Sequence, residues 1–160
     1  MPLEIERKFL VCGDFKSQST KKERITQGYL SSDPECTVRV RVKGDKAFFT
    51  IKGKSDEKGL VRTEWEKEIS TDDAEKLFTL CNGKVLDKIR YYVPVNNKMF
   101  EVDEFLGENE GLIVAEIELD SVDEDFEKPA WLGQEVTGDI RFYNSQLVTH
   151  PYSKWQMRND

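Results

Sequence analysis

Hydrophobic and polar residues alternate along most of the chain, which is the pattern of β-strands with one buried face. In the first run, PLEIERKFLV at residues 2–11, Glu4, Glu6 and Lys8 share one face while aliphatic and aromatic side chains dominate the other. Similar runs predict eight strands, near residues 3–11, 24–31, 36–43, 46–53, 60–69, 85–93, 98–106 and 112–120. Eight strands are enough to close a barrel.

Short turns join several of these runs. KGDK at 43–46 places Gly44-Asp45 between two alternating segments, which is a strong hairpin signal, and VNNK at 95–98 is a weaker one. Strands joined in this way pair antiparallel. The predicted fold is therefore α+β and mainly β: an eight-stranded antiparallel closed barrel with a few flanking helices.

Three short segments have helical character. TDDAEKLFTLC at 71–81 offers a capping residue at Thr71 or Asp72 and an apolar stripe with helical spacing. SVDEDFE at 121–127 predicts a second helix that ends before Pro129, and residues 144–148 predict a third. We find no internal repeat or linker, so residues 1–160 are expected to form a single domain.

Charged residues recur at alternate positions of the strands, and most strands carry one sign. The pairs are Arg39 and Arg41, Glu64 and Glu66, Lys88 and Arg90, Glu101 and Asp103, and Glu116 and Glu118, in addition to the first strand. Such residues would ordinarily form the wet outer face of a sheet. Alternatively, they face the lumen of a closed barrel, which requires acids and bases to interleave and a ligand to supply counter-charge. The pattern alone leaves both arrangements open.

The composition of the chain argues against several classes of protein and of catalytic chemistry. The 160 residues have a formal net charge of −7, which argues against a nucleic-acid partner. The chain contains no apolar run of the roughly 20 residues that a membrane helix needs, and no export leader is evident. Three widely spaced cysteines fit reduced thiols in the cytoplasm. The lone histidine, His150, makes histidine-based nucleophilic catalysis a poor candidate.

A charged lumen would suit a phosphate-rich anion. Arg39, Arg41, Lys52, Lys88 and Arg90 would bind a polyanion, because arginine forks match phosphate oxygens. The carboxylates would bind hard divalent cations such as Mg²⁺ or Mn²⁺, which prefer oxygen ligands.

The sequence resembles the CYTH, or triphosphate tunnel metalloenzyme, superfamily in its short bacterial form. Glu4-Ile5-Glu6-Arg7-Lys8 matches the ExExK signature of that superfamily. The other elements follow in order: Arg39-x-Arg41, Thr50-x-Lys52, Glu64-x-Glu66, Lys88-x-Arg90, Glu116-x-Glu118, and Arg141 within EVTGDIRFYN. The resemblance covers essentially the whole chain.

The resemblance implies a tunnel that binds a triphosphate and about two Mg²⁺ or Mn²⁺ ions. It implies that Arg39, Arg41, Lys52, Lys88, Arg90 and Arg141 bind the triphosphate. The implied metal ligands are Glu4, Glu6, Glu116 and Glu118, with Glu64 and Glu66 as metal or water ligands and Asp103 as a further candidate. Lys8 would contact phosphate or orient the attacking water, and together with Glu4 and Glu6 it forms the expected catalytic set.

Three functions remain open on the sequence. The first is hydrolysis of inorganic tripolyphosphate, because the chain offers charges for a triphosphate but no evident pocket for a base. The second is a nucleotide-directed activity on ATP or thiamine triphosphate, as in a class IV adenylyl cyclase or a thiamine or nucleoside triphosphatase. The third is a non-catalytic polyphosphate-binding module, which the many carboxylates disfavour because they would repel the anion. Formation of a homodimer is also left open.

Overall fold

The computed structural model describes residues 3–155, which form nine strands and three short α-helices. The strands are β1 (Leu3–Val11), β2 (Lys21–Ser31), β3 (Cys36–Lys43), β4 (Lys46–Gly53), β5 (Val61–Ile69), β6 (Val85–Val95), β7 (Lys98–Phe105), β8 (Ile113–Glu118) and β9 (Leu132–Glu135). The helices are α1 (Thr71–Phe78), α2 (Asn144–Leu147) and α3 (Tyr152–Trp155).

The first eight strands close into an antiparallel barrel. Their order is β5-β4-β3-β2-β6-β7-β8-β1, and a further pairing between β1 and β5 joins the ends of the sheet. That closing ladder is short, running from Leu3 opposite Thr63 to Ile5 opposite Val61. The predicted eight-stranded antiparallel barrel is confirmed, and the predicted turns have positive φ at Gly44 and Asn96.

Apolar side chains of the strands pack on the outside of the barrel. On one side, Trp131 is 2% exposed and meets Phe100 of β7 edge to face, with ring centroids 5.2 Å apart. On another, Ala74 of α1 is buried against Val40 of β3 and Ala47 of β4. The segments outside the sheet therefore cover the aliphatic faces, and the charged faces of the same strands are left to line the interior.

One predicted helix is absent, and the predicted helix at 71–81 is confirmed with a different cap and an earlier end. Residues 121–127 form a turn and extended chain instead of a helix, because Phe126 packs on Phe9 and Phe100 while the Glu124 side chain accepts a hydrogen bond from the Asp120 amide. Helix α1 ends at Phe78, its cap is Ser70, and a 3₁₀ turn completes the predicted 71–81 segment.

The C-terminal region contains elements that the pattern did not predict. Strand β9 has four residues and pairs with β1, with Phe9 opposite Glu135 and a register shift before Val11. Helix α3 was also missed, whereas α2 confirms the predicted helix near 144–148. None of the helices in residues 3–155 has the length and apolar character needed to cross a bilayer.

Candidate active site

A polar cavity of about 200 Å³ occupies the barrel interior, and 21 residues line it. Fifteen of the lining side chains are charged, seven carboxylates and eight cations. The carboxylates are Glu4, Glu6, Glu64, Glu66, Glu101, Glu116 and Glu118, and the cations are Lys8, Arg39, Arg41, Lys43, Lys52, Arg62, Lys88 and Arg90. The charges interleave within one enclosed space, as the lumen arrangement requires.

Two lysines of the cavity are each paired with carboxylates of the cavity wall. Lys8 Nζ lies 3.1 Å from Glu6 Oε1 and also contacts Glu116 across the β1–β8 ladder. Burial opposes the charge on Lys8, but the carboxylates of Glu116 and Glu6 outweigh it and raise the pKa of this lysine. Lys52 Nζ lies 2.9 Å from Glu4 Oε1 at the β1–β5 junction. Lys8 is therefore a fixed positive charge in the cavity wall.

The two arginines of β3 are incompletely satisfied by their neighbours. Arg39 and Arg41 each have a buried Nε with no hydrogen-bond partner among residues 3–155. Their shared carboxylate, on Glu66, is no closer than 3.4 Å to either guanidinium. Burial and repulsion from Arg39 and Arg90 lower the pKa of Arg41 to about 10. Buried donors without acceptors are costly, so this wall is suited to an anion.

A second group of cations surrounds Asp103 of β7. Arg90 binds it through two hydrogen bonds, from Nε to Oδ1 at 2.8 Å and from Nη2 to Oδ2 at 2.9 Å. Lys88 Nζ lies 2.8 Å from the same Oδ2. Burial disfavours the ionised form of Asp103, but the two cations lower its pKa well below the ordinary value. Burial lowers the pKa of Lys88 to about 7 despite the opposing effect of Asp103.

Carboxylates from β1, β5 and β8 lie close enough to repel one another. Burial raises the pKa of Glu118, and the charges on Glu4, Glu6 and Glu64 raise it further. Burial and the charge on Glu116 likewise raise the pKa of Glu6. Excess negative charge carried by oxygen ligands fits a hard divalent cation. Within residues 3–155, however, no three of these groups converge on a ready-made metal site, since Lys8 and Lys52 occupy several of their oxygens.

Comparison with known proteins identifies the family. The family model described as CYTH domain matches residues 2–151. The chain belongs to the CYTH family.

Similar CYTH proteins carry the same functional name. A protein of Acetivibrio thermocellus named inorganic triphosphatase is 46% identical over 157 residues, which is 98% of this chain and 99% of the relative. One of Nitrosomonas europaea with the same name is 36% identical over 149 residues, covering 91% and 96%. A crystal structure of an inorganic triphosphatase aligns with a TM-score of 0.64 at 32% identity, covering 90% of this chain and 96% of that chain.

The CYTH barrel brings together twelve of the residues expected to form the site. The members that line the cavity are Glu4, Glu6, Lys8, Arg39, Arg41, Lys52, Glu64, Glu66, Lys88, Arg90, Glu116 and Glu118. Asp103 does not line it and lies behind Lys88 and Arg90, 1% exposed.

Arg141 is placed away from this CYTH cavity. Its guanidinium pairs with Asp139, with Nη2 2.7 Å from Oδ2, and lies 5.4 Å from the ring centroids of Phe142 and Trp155. The guanidinium is therefore held by local partners on the C-terminal segment.

Several lining residues of the CYTH cavity were not among the expected ones. Lys43 and Arg62 have the same strand parity as Arg41 and Glu64, so a stricter use of parity would have found them. Glu101 was noted in the sequence for its alternate position but was given no role, and Thr37 has the parity of Arg39 on β3. Tyr29 lies opposite Arg39 in the β2–β3 ladder and shares its face. Tyr143, Asn144 and Ser145 lie outside the strands, so no strand pattern could predict them.

Proposed function

We propose that this protein is a divalent-metal-dependent inorganic triphosphatase that hydrolyses tripolyphosphate to pyrophosphate and phosphate inside the barrel. The observation that carries the proposal is the pair of buried, unpartnered Nε donors of Arg39 and Arg41 in a cavity that also holds repelling carboxylates. An anion alone would satisfy the arginines but not the carboxylates. A polyphosphate bound with a divalent cation satisfies both, and relatives named inorganic triphosphatase support this assignment.

The size of the cavity favours an inorganic substrate. Pockets for drug-sized organic ligands typically measure about 300–1,000 Å³ and are mostly apolar. This cavity measures about 200 Å³, and 15 of its 21 lining residues are charged. A compact polyanion fits such a space better than a nucleotide, whose base would need an apolar surface. ATP and thiamine triphosphate are therefore the weaker candidates.

The charged residues divide into two proposed roles. The cations Arg39, Arg41, Lys52, Lys88 and Arg90 bind phosphate oxygens, since all five line the cavity and cationic side chains are strong donors to phosphate. The proposed ligands of Mg²⁺ or Mn²⁺, two ions in our proposal, are Glu4, Glu6, Glu64, Glu66, Glu116 and Glu118. We assign Asp103 to the support of Lys88 and Arg90, because both of its oxygens are already bound by these cations.

Phosphoryl transfer asks the protein mainly to position the reactants and to stabilise charge. The bound metal would supply Lewis-acid polarisation of phosphate oxygens and a more acidic water. The β3 arginines would neutralise the phosphate oxygens and the departing pyrophosphate. Lys8, fixed between Glu6 and Glu116, would keep its proton and orient the attacking water or a phosphate oxygen. No histidine is needed for any of these steps.

A substrate panel tests the proposal. The protein is incubated with tripolyphosphate, ATP or thiamine triphosphate and Mg²⁺ or Mn²⁺, and both phosphate release and cyclic AMP are measured. We expect fast phosphate release from tripolyphosphate and none after chelation with EDTA. Cyclic AMP as the main product would contradict the proposal. Tight binding that needs no metal and gives no turnover would instead identify a binding module.

A pair of arginine variants tests the location of the site. Arg41→Ala removes a cavity donor and should raise KM for tripolyphosphate by about tenfold or more, since a hydrogen bond to a charged group contributes roughly 1.5–3 kcal/mol. Arg141→Ala is the matched control and should remain near wild type, because its guanidinium binds Asp139 outside the cavity. Equal losses in the two variants would show that Arg141 reaches the substrate.

The cellular compartment can be proposed from the cysteines. Cys12 and Cys36 are exposed, Cys81 is buried, and all three are free. Exposed free thiols fit a reducing compartment, so we propose the cytoplasm.

A further inference from the structure

The C-terminal segment reaches the cavity through Asn144, the first residue of α2. Its Oδ1 accepts a hydrogen bond from Lys88 Nζ at 2.8 Å and one from Gln27 Nε2 at 3.4 Å. Lys88 is 2% exposed and Gln27 is fully buried. Asn144 itself lines the cavity. This contact therefore connects a segment outside the strands to a buried cation of the barrel wall.

The partner of Asn144 fixes the orientation of its amide. Its Oδ1 faces two donors, Lys88 Nζ and Gln27 Nε2, and the charged form of Lys88, which Asp103 favours, has no acceptor, so the atom that faces them is the carbonyl oxygen. The amide nitrogen Nδ2 must then point away from Lys88. It donates no hydrogen bond to any residue within 3–155, and it is not among the buried atoms that lack a partner. Nδ2 is thus an accessible donor on a cavity-lining residue.

Lys88, like Asn144, is fixed by neighbouring residues and retains a donor that has no partner among residues 3–155. Its ammonium has three N–H donors. Asp103 Oδ2 and Asn144 Oδ1, each 2.8 Å from Nζ, account for two of them. The third has no acceptor among the residues that the structure describes. Two acceptors from different parts of the fold therefore hold the ammonium and leave one of its donors for a ligand in the cavity.

We infer that Asn144 and Lys88 form a two-donor clamp for one phosphate oxygen of the substrate, in which Asn144 binds through Nδ2 and positions Lys88 through Oδ1. The inference rests on the proposed function and adds a neutral binding residue from the C-terminal segment to it. The segment is fixed near this position, because Val136 N donates to Lys8 O at 2.8 Å and Gly138 packs directly on Gly59.

The variant Asn144→Asp separates binding from structure. It keeps an acceptor for Lys88 but replaces the N–H donor with a carboxylate that repels phosphate. We expect KM for tripolyphosphate to rise by about tenfold to a hundredfold, in line with the loss of a hydrogen bond to a charged group. The unfolding temperature should not fall. Asn97→Asp adds the same charge at an exposed position and is the control. A KM within twofold of wild type in Asn144→Asp would overturn the inference.

The positioning half of the inference is tested by a double-mutant cycle. Lys88→Ala and Asn144→Ala are measured singly and together. Because Asn144 acts in part through Lys88, the rise in KM of the double variant should be smaller than the product of the two single rises. A rise equal to that product would show that Asn144 does not position Lys88.

Binding measurements keep this inference separate from the proposed activity. If the wild type releases no phosphate from tripolyphosphate, the proposed function fails, and calorimetric titration with tripolyphosphate decides the inference instead. Weaker binding by Asn144→Asp than by wild type and Asn97→Asp would support the clamp. Equal binding by all three, or no binding by any, would overturn it.

Discussion

Asp103 offers the sharpest test of how the cavity is held together, because two buried cations depend on it. Asp103→Asn keeps the shape of the side chain and removes the charge between Arg90 and Lys88, which are 5% and 2% exposed. Arg90 keeps Glu101 at 3.1 Å, whereas Lys88 keeps only the neutral oxygen of Asn144. Removing one partner of a buried ion pair costs about 3–5 kcal/mol. Lys88 would also lose the carboxylate that raises its pKa.

Urea unfolding in EDTA measures this cost without any metal. For an m value of about 2 kcal/mol per molar urea, the loss shifts the midpoint of Asp103→Asn down by roughly 2 M. Asp120→Asn, whose side chain is 98% exposed, should leave the midpoint unchanged. A midpoint of Asp103→Asn equal to wild type would refute the supporting role. An unchanged midpoint together with a rise of more than about a hundredfold in the Mg²⁺ concentration for half-maximal turnover, beyond what an outer-shell residue typically contributes, would instead indicate the metal-ligand role that the resemblance implies.

Three further results are expected. Gly59→Ala should lower the free energy of unfolding in urea by more than about 2 kcal/mol, because φ is +76° and a Cβ would lie 2.3 Å from Gly138 Cα. Gly83→Ala has a similar φ but open space around the Cβ, so it should lower this free energy by only about 1 kcal/mol. Equal losses in the two variants would disprove the contact between Gly59 and Gly138. Glu135→Gln should lower the free energy of unfolding by about 1 kcal/mol or less at neutral pH. Arg7 on β1 lowers the pKa of Glu135. The stabilisation is therefore present above the ordinary pKa of a glutamate and is lost as the pH falls through the lowered pKa. A deficit that persists at low pH would contradict this. Glu118→Gln relieves repulsion among the carboxylates, so in EDTA it should unfold at or above the temperature of the wild type. Added Mg²⁺ should raise its unfolding temperature by less than it raises that of the wild type. A lower unfolding temperature than wild type in EDTA would contradict this expectation.

The strands of the barrel were predictable from the sequence, because period-two alternation located β1 to β8. Repeated like-charge pairs such as Arg39 and Arg41 raised the possibility that the charged face lies inside, where the structure places it. Alternation alone could not decide which face is inside. That choice depends on the segments that cover the outside, where Trp131 packs on Phe100.

The region after β8 was poorly predicted for a physical reason. Its apolar residues make single, scattered contacts with the barrel, so they do not recur at the regular spacing of a strand or a helix. Phe126 lies in a segment without regular structure and packs, partly buried, against the core, and β9 is too short to show alternation. Arg141 is held by Asp139, two residues earlier, and Asn144 reaches Lys88 across 56 residues of sequence. Such pairings depend on the closed barrel and leave no local signal.

A crystal structure with Mg²⁺ and a non-hydrolysable tripolyphosphate analogue would show where the substrate binds. We expect the analogue to lie inside the barrel, with phosphate oxygens within hydrogen-bonding distance of Arg39, Arg41 and Lys88 and with metal bound by carboxylates of β1 and β8. An analogue bound outside the barrel, for example at Arg141, with the lumen donors still unpartnered, would contradict it.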